Sequence, residues 1–317
     1  MRGFIFVFIM FFAFILEAGK IEPVGSVKIN AAVLDMVIRQ DRLYVATDKS
    51  SVVIYSLDGL KELSVIKVRQ IHDFVGELID ADIYSVDVLD NKILLLAQAE
   101  DGYSELFVKK GEKIEKVLDK SAQLYAKAAK FVDSDKVIMA LMSDEIVLYD
   151  INAKKTIYRK SAGEYFFSAM AISPSRSEIA VGDEGGEVVV LDTATGDVIR
   201  RFVNVNKDKI LSLDINEDFV AAGSRDKKVV LYDIDMQTHK EKRGDFFVYV
   251  VGISPKSGYL LFGDNERFDL KIVDSITFDT KYILVGHKNI VNKAVFIDEN
   301  RLITGSESGE IKIWRLK

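Results

Sequence analysis

The chain has no cysteine, only three prolines, three histidines and a single tryptophan. The missing thiol excludes disulfides, thiol nucleophiles, cysteine zinc sites and a lipid-bearing cysteine at an export signal. The histidines, His72, His239 and His287, stand far apart and show no metal-ligand spacing. Few prolines and twenty glycines leave no room for a long low-complexity linker. Basic residues are outnumbered by acidic ones, 43 to 49, and a net charge of −6 argues against a surface that tracks nucleic-acid phosphates. No GxSxG, no phosphate-cradling glycine loop and no acid–base pair set by spacing occurs.

What is present is an ordinary globular composition, 49% hydrophobic and 29% charged over 317 residues. A chain of this length buries roughly three quarters of its unfolded surface and needs no covalent staples. The first apolar block runs from Phe4 to Leu16 without a charge, after Arg2. As a helix it would span about 20 Å, short of a membrane core of about 30 Å. With the small residues Ala18 and Gly19 behind it, residues 1–18 read as a secretory signal, cleaved after Ala18. A retained anchor is the alternative, since Leu16 and Glu17 fit a cleavage site poorly. The charge of the cleaved chain stays at −6, because Arg2 and Glu17 leave together. Export without a lipid anchor points to the bacterial periplasm or the cell exterior, with no stable membrane span after cleavage.

The remainder is periodic. Seven apolar runs end at Ser56, Val108, Asp150, Asp192, Asp233, Asp274 and Arg315, at steps of 52, 42, 42, 41, 41 and 41 residues. Ahead of each run lies another apolar strand, such as LYVAT at Leu43, FVAAG at Phe219 and RLITG at Arg301. A third precedes that, such as VLDMVI, ILSLDI and VNKAVF. A more polar fourth follows, such as KTIYRK and HKEKR. Three apolar strands and a charged outer one, repeated, predict an all-β, seven-bladed β-propeller with four-stranded blades over residues 19–317. Inner strands that face the channel and neighbouring blades should lack charge. Lys155, Arg159, Arg200, Arg201, Lys240 and Lys242 should blunt the outer edge against pairing with other chains. The seventh unit has only three strands. The unclaimed stretch Glu22 to Asn30 is therefore expected to complete the last blade and close the ring.

GSRDKKVVLYD at Gly223–Asp233 and GSESGEIKIWR at Gly305–Arg315 resemble WD40 repeats, and Gly286–His287 opens the last unit as in that family. In that unit His287, Thr304 and Trp314 match the family's hydrogen-bonded set, while Ser308 stands where aspartate is usual. In the fifth, Asp226 matches, Tyr232 replaces tryptophan and the histidine is absent. The stretches DFVG around Phe74 and LLAQAEDGY at Leu95–Tyr103 resemble the accessory propeller of periplasmic nitrate reductase systems, the NapL type. That resemblance implies assembly or maturation of an oxidoreductase rather than catalysis.

Two features are candidate binding elements. The long first step places about ten extra residues in Lys67–Asp82, too many for an ordinary strand connection. Within it Ile71, Asp73, Phe74 and Leu78 are the expected partner contacts. The second is a pair of aromatic clusters, Tyr165–Phe166 and Phe246–Phe247, at the same position in non-adjacent units. Both are expected at the channel mouth, lining a recess for an apolar or peptide ligand. Packing between blades is the competing role. Asp264, Asn265, Glu266 and Asp269 begin like a calcium loop, but Arg267 and Phe268 interrupt it and no closing glutamate follows. They, and Asp183–Gly186, read as strand-to-strand turns. The sequence thus points to a non-catalytic, exported protein-interaction scaffold without metal or cofactor, its partner a protein such as a periplasmic oxidoreductase. The competing readings are a channel-site enzyme or ligand sensor of lactonase or quinoprotein type, and a component of an envelope assembly machine.

Overall fold

The computed structural model describes residues 18–317. The expected signal lies outside the described residues, apart from Ala18. Among the described residues no helix is long and apolar enough to cross a membrane.

Each repeat folds into one antiparallel sheet whose strands follow chain order. Blade one comprises Val33–Arg39, Arg42–Thr47, Ser51–Ser56 and Glu62–Lys67. The fifth comprises Ile210–Ile215, Phe219–Ser224, Lys228–Asp233 and His239–Arg243. The middle two strands are apolar on both faces because both faces are covered. Strand side chains alternate, so consecutive residues enter opposite seams. In blade two, Leu94 and Leu96 pack with Phe131 and Val137 of blade three. Leu95, between them, packs with Val52 and Ile54 of blade one. Seven such clusters exist, one per pair of neighbours. The seventh joins Ile303 and Ile311 of the last blade to Leu43, Val45 and Tyr55 of the first.

Closure follows the expected route. Gly25–Lys28 pairs antiparallel with Glu310–Arg315, Gly25 opposite Ile313 and Val27 opposite Ile311. The stretch just before it does something the repeat pattern did not announce. Gly19–Ile21 runs parallel to Thr280–Leu284, the outer strand of blade six, and makes that sheet five-stranded. Ile21 is buried there with Leu284, Leu302 and Trp314. One short N-terminal segment thus serves two blades. A smaller adjustment concerns blade two, where the residue equivalent to Asp150 at the end of the third strand is Lys110, not Val108.

The innermost strands do not lack charge, contrary to expectation. Asp35, Asp87, Lys130, Asp214 and Lys293 all lie on them. Three of the aspartates repeat one device: a carboxylate accepts from the next N–H of its own strand and from an N–H of the following blade. Asp35 takes Met36 and Val86, at 3.0 Å each. Asp87 takes Val88 at 2.9 Å and Phe131 at 2.8 Å. Asp214 takes Ile215 at 3.0 Å and Ile253 at 2.7 Å. Cations complete the first two. Lys130 reaches Asp35 at 2.8 Å across the intervening blade, and Arg176 of blade four grips Asp87 at 2.6 and 3.0 Å. Burial alone would raise the Asp35 carboxyl. Lys130 and Lys293, with hydrogen bonds from Lys130 and Val86, reverse that and hold it at about 2. The outer cations also do more than blunt an edge. Arg200 donates to the Ile234 carbonyl of the next blade, and Lys240 to those of Ser275 and Ile276.

Two tests follow. Gly309 has φ +83°, and a Cβ there would strike the carbonyl oxygens of Ile29 and Ala31 beside the closing strand. Gly309→Ala should cost about 2 kcal/mol or more in urea unfolding. Gly25→Ala, on the closing strand with nothing within 4 Å, should cost far less. Asp35→Asn should lose about 2 kcal/mol at pH 7. The depressed carboxyl stabilises the fold above its unfolded pKa near 4, and that contribution is lost as pH falls toward about 2. Parent and variant should therefore converge in urea titrations run at pH 7, 4 and 2.

Candidate functional site

Antiparallel strands put the connection between blades and the turn between second and third strands at the same end of every blade. The insertion and both aromatic clusters therefore share one end face of the ring.

The insertion is a built hairpin rather than a structureless loop. Ile71–His72 pairs with Leu78–Ile79, Ile71 opposite Ile79. Asp73 makes the turn: its Oδ1 accepts from Val75 N at 2.9 Å and Glu77 N at 2.8 Å, and Gly76 adopts φ +86°. Ile71 is only 2% exposed, so it anchors the hairpin and is not available to a partner. Phe74 is 87% exposed, with Val75 and Leu78 also in solvent. Of the four residues singled out in this segment, Phe74 and Leu78 are exposed, and Ile71 and Asp73 hold the hairpin in shape.

The hairpin tip adjoins further exposed rings. The Cβ position of Gly102 lies 3.6 Å from the Tyr125 ring and 4.0 Å from that of Phe74. Tyr125 also packs on Tyr103, ring centroids 4.6 Å apart. Beyond Tyr125 lies a recess of about 240 Å³, lined by Tyr125, Leu141, Met142 and Phe166 with Gln123, Ser143 and Arg159 around them. Tyr165 extends the surface on the far side, its ring against Gly185. Phe166 is 62% exposed, and Tyr125, Met142 and Tyr165 are exposed too. Seven large apolar side chains, from Phe74 to Phe166, therefore lie along one arc of the rim from the blade one–two junction to blade four.

Backbone bonds hold this arc. Met142 N donates to the Tyr125 carbonyl at 2.8 Å, Phe167 N to Met142 O at 3.1 Å, and Glu184 N to Phe166 O at 2.9 Å. Tyr125 and Met142 were not singled out in the sequence. They lie in short connections of ordinary length, and only their exposure marks them.

Phe246 and Phe247 behave differently from the pair they align with. They lie at the blade five–six junction, apart from the arc. Half-buried, they stack at 5.2 Å with Tyr249 against them. Phe246 N is tied to the Asp264 carbonyl at 2.8 Å. The crevice they line with Phe268 and Ile290 holds about 20 Å³, room for a water and no apolar ligand. These rings pack, whereas Tyr165 and Phe166 are presented. Beside them Asp264 is committed to Lys271 at 2.7 Å, and Asn265 Oδ1 accepts from Arg267 N at 3.0 Å, as a turn requires.

The last blade contains the hydrogen-bonded set expected of it. Trp314 Nε1 donates to Thr304 Oγ1 at 2.8 Å, and Thr304 meets His287 Nε2 at 2.6 Å. Burial, then Lys312, push His287 down to about 4 against the pull of Glu310, so the imidazole is neutral. Trp314 is wholly buried, which makes the set a structural strut rather than a site. In blade five the missing histidine is replaced by Asn206, whose Oδ1 accepts from the Tyr232 hydroxyl at 2.8 Å.

The sequence profile described as WD domain, G-beta repeat, matches residues 278–315. The matched unit covers the outer strand of blade six and three strands of blade seven, so the sequence repeat is offset by one strand from the sheet. No curated protein matches the chain at a significant level. One matched repeat, its buried strut and seven radial sheets together make this a WD40-like seven-bladed propeller.

Proposed function

We propose that this chain is a non-catalytic scaffold, acting outside the cytoplasm, that docks a protein partner on the apolar arc of its rim. The observation that carries the reading is the arc itself: Phe74, Val75, Leu78, Tyr125, Met142, Tyr165 and Phe166 exposed together on laced loops. Monomeric surfaces rarely leave such a set uncovered unless it binds something. Rigid aromatic contacts lose little side-chain entropy on binding, which suits them to be anchors. The WD40-like fold supports a protein as the partner. The channel supports the same assignment, because Asp35, Asp87, Lys130 and Arg176 are committed to one another.

The finer reading places the partner among periplasmic oxidoreductases, a nitrate reductase under assembly in particular. Its support is the resemblance of Asp73–Gly76 and Leu95–Tyr103, together with the signal-like residues 1–18. Fractionation of cells should find the chain, shortened at Ala18, in the periplasm.

The docking surface is tested with the double variant Phe74→Ser and Phe166→Ser, and with Phe247→Ser as the contrast. The double variant should keep its melting temperature and lose at least about tenfold in affinity for the co-purifying oxidoreductase. Phe247→Ser should lower the melting temperature without a selective loss of binding. Unchanged affinity in the double variant refutes the arc as the docking surface.

A further inference from the structure

Beneath the loop that presents Tyr165 and Phe166 lies a pair of buried carboxylates, each with one oxygen unpartnered. Asp144 is in the turn between the second and third strands of blade three, and Asp183 ends the second strand of blade four. Both are 2% exposed. Asp144 Oδ1 and Asp183 Oδ2 are buried without a hydrogen-bond partner. They face one spot. The Cβ position of Gly163, on the overlying loop, is 2.7 Å from Asp144 Oδ2 and 3.4 Å from Asp183 Oδ2.

The other charged groups around the pair are already engaged. Glu187 is held by Arg201. Arg201 also donates from Nη2 to the Ala162 carbonyl at 2.8 Å. Glu164, on the loop itself, is exposed. Asp183 Oδ1 accepts from Glu187 N at 2.9 Å. The loop is fastened to the same turns that carry the carboxylates: Ala162 N donates to Asp144 O at 2.8 Å, and Phe167 N to Met142 O. Two buried anions so placed repel each other across the seam unless one is neutral. Any relief of that repulsion by movement must displace the loop between them.

We propose that Asp144 and Asp183 form a pH-sensitive latch: Asp144 seats the Ala162–Phe167 loop when neutral and loosens it when ionised. Burial first, then Asp183, then Glu187, push the Asp144 carboxyl up to about 7, against the Gly163 N–H and Arg201. The sign is fixed by linkage. The folded state keeps the proton to higher pH than the unfolded chain does, so the stabilisation present below about 4 is lost as pH rises through about 7. The loop is therefore tight in mildly acidic conditions and loose in alkaline ones. Its consequence for partner capture rests on the docking arc proposed above, whereas the loop's own response to pH does not.

Hydrogen exchange of the peptide spanning residues 162–167, in the full chain at pH 5.5 and pH 8 and corrected for the intrinsic rate, tests the latch. Protection in the parent should fall by about tenfold more than in Asp144→Asn, which is neutral at both values. Should Asp144→Asn fail to fold, Asp183→Asn removes the repulsion from the other side and should shrink the response without abolishing it, because burial still acts on Asp144. A parent whose protection is independent of pH, or follows pH as both asparagine variants do, overturns the latch. Loss of the docking arc would appear instead as unchanged capture by the Phe74→Ser, Phe166→Ser protein, so the two failures are distinguishable.

Discussion

Every part of this molecule depends on burying both faces of every sheet. A single four-stranded sheet of this sequence would expose alternate residues of its two central strands on each side, and forfeit the burial of apolar area that drives folding. The seams resolve that only if the ring is complete, because two end blades of an open row would each leave one apolar face in water. The seam of Ile303 and Ile311 against Leu43 and Tyr55 is therefore the contact on which the other six rely. It is formed by residues about 250 positions apart, a pairing whose chain-closure cost is large before any contact rewards it. The stretch from Gly19 to Lys28 ties the start of the chain to both final blades, as outer strand to blade seven and as extra strand to blade six.

The channel and the rim divide the polar and apolar resources of the chain. Charges in a narrow channel are costly unless paired: Asp35 and Asp87 are paired across blades rather than within them, and Asp214 is held by two backbone N–H groups. Asp87 joins blades two, three and four through its own strand, Phe131 N and Arg176. Such a network fixes the angle between neighbouring sheets, which hydrophobic seams alone, being non-directional, do not. The result ties the inner strands of neighbouring blades together. The exposed apolar arc lies at one end, on loops that backbone hydrogen bonds keep from collapsing onto the blades.

The sequence made the blades legible because an apolar strand followed by a turn recurs at about forty-one residues, and Trp314, Thr304 and His287 stand at telling positions in the last one. It could not reveal the channel clasps. Asp87 and Arg176 are 89 positions apart, and nothing local distinguishes an aspartate that reaches the next blade from one in solvent. The five-stranded blade was hidden for a similar reason, since Gly19–Ile21 is too short to carry a strand signal. The aromatic pairs show the sharpest limit. Phe166 and Phe247 occupy the same place in the repeat, yet their neighbours decide their fates. Phe268 and Ile290 lie over the second pair, while the Gly185–Gly186 turn offers the first pair nothing larger than a hydrogen to lean on.

That contrast also explains why the exposed apolar arc occupies only part of the rim. Exposure of an aromatic ring costs stability that packing would have supplied, and at the blade five–six junction the chain takes that stability. At the three–four junction it forgoes it, and places two ill-satisfied carboxylates beneath the same loop. Sites that violate local packing and polar satisfaction together are where folds keep their function. In this propeller the two kinds of violation coincide at Asp144, Asp183, Tyr165 and Phe166, within one loop's length, and buried polar atoms without a partner occur also on Asn206, His287 and Asn292.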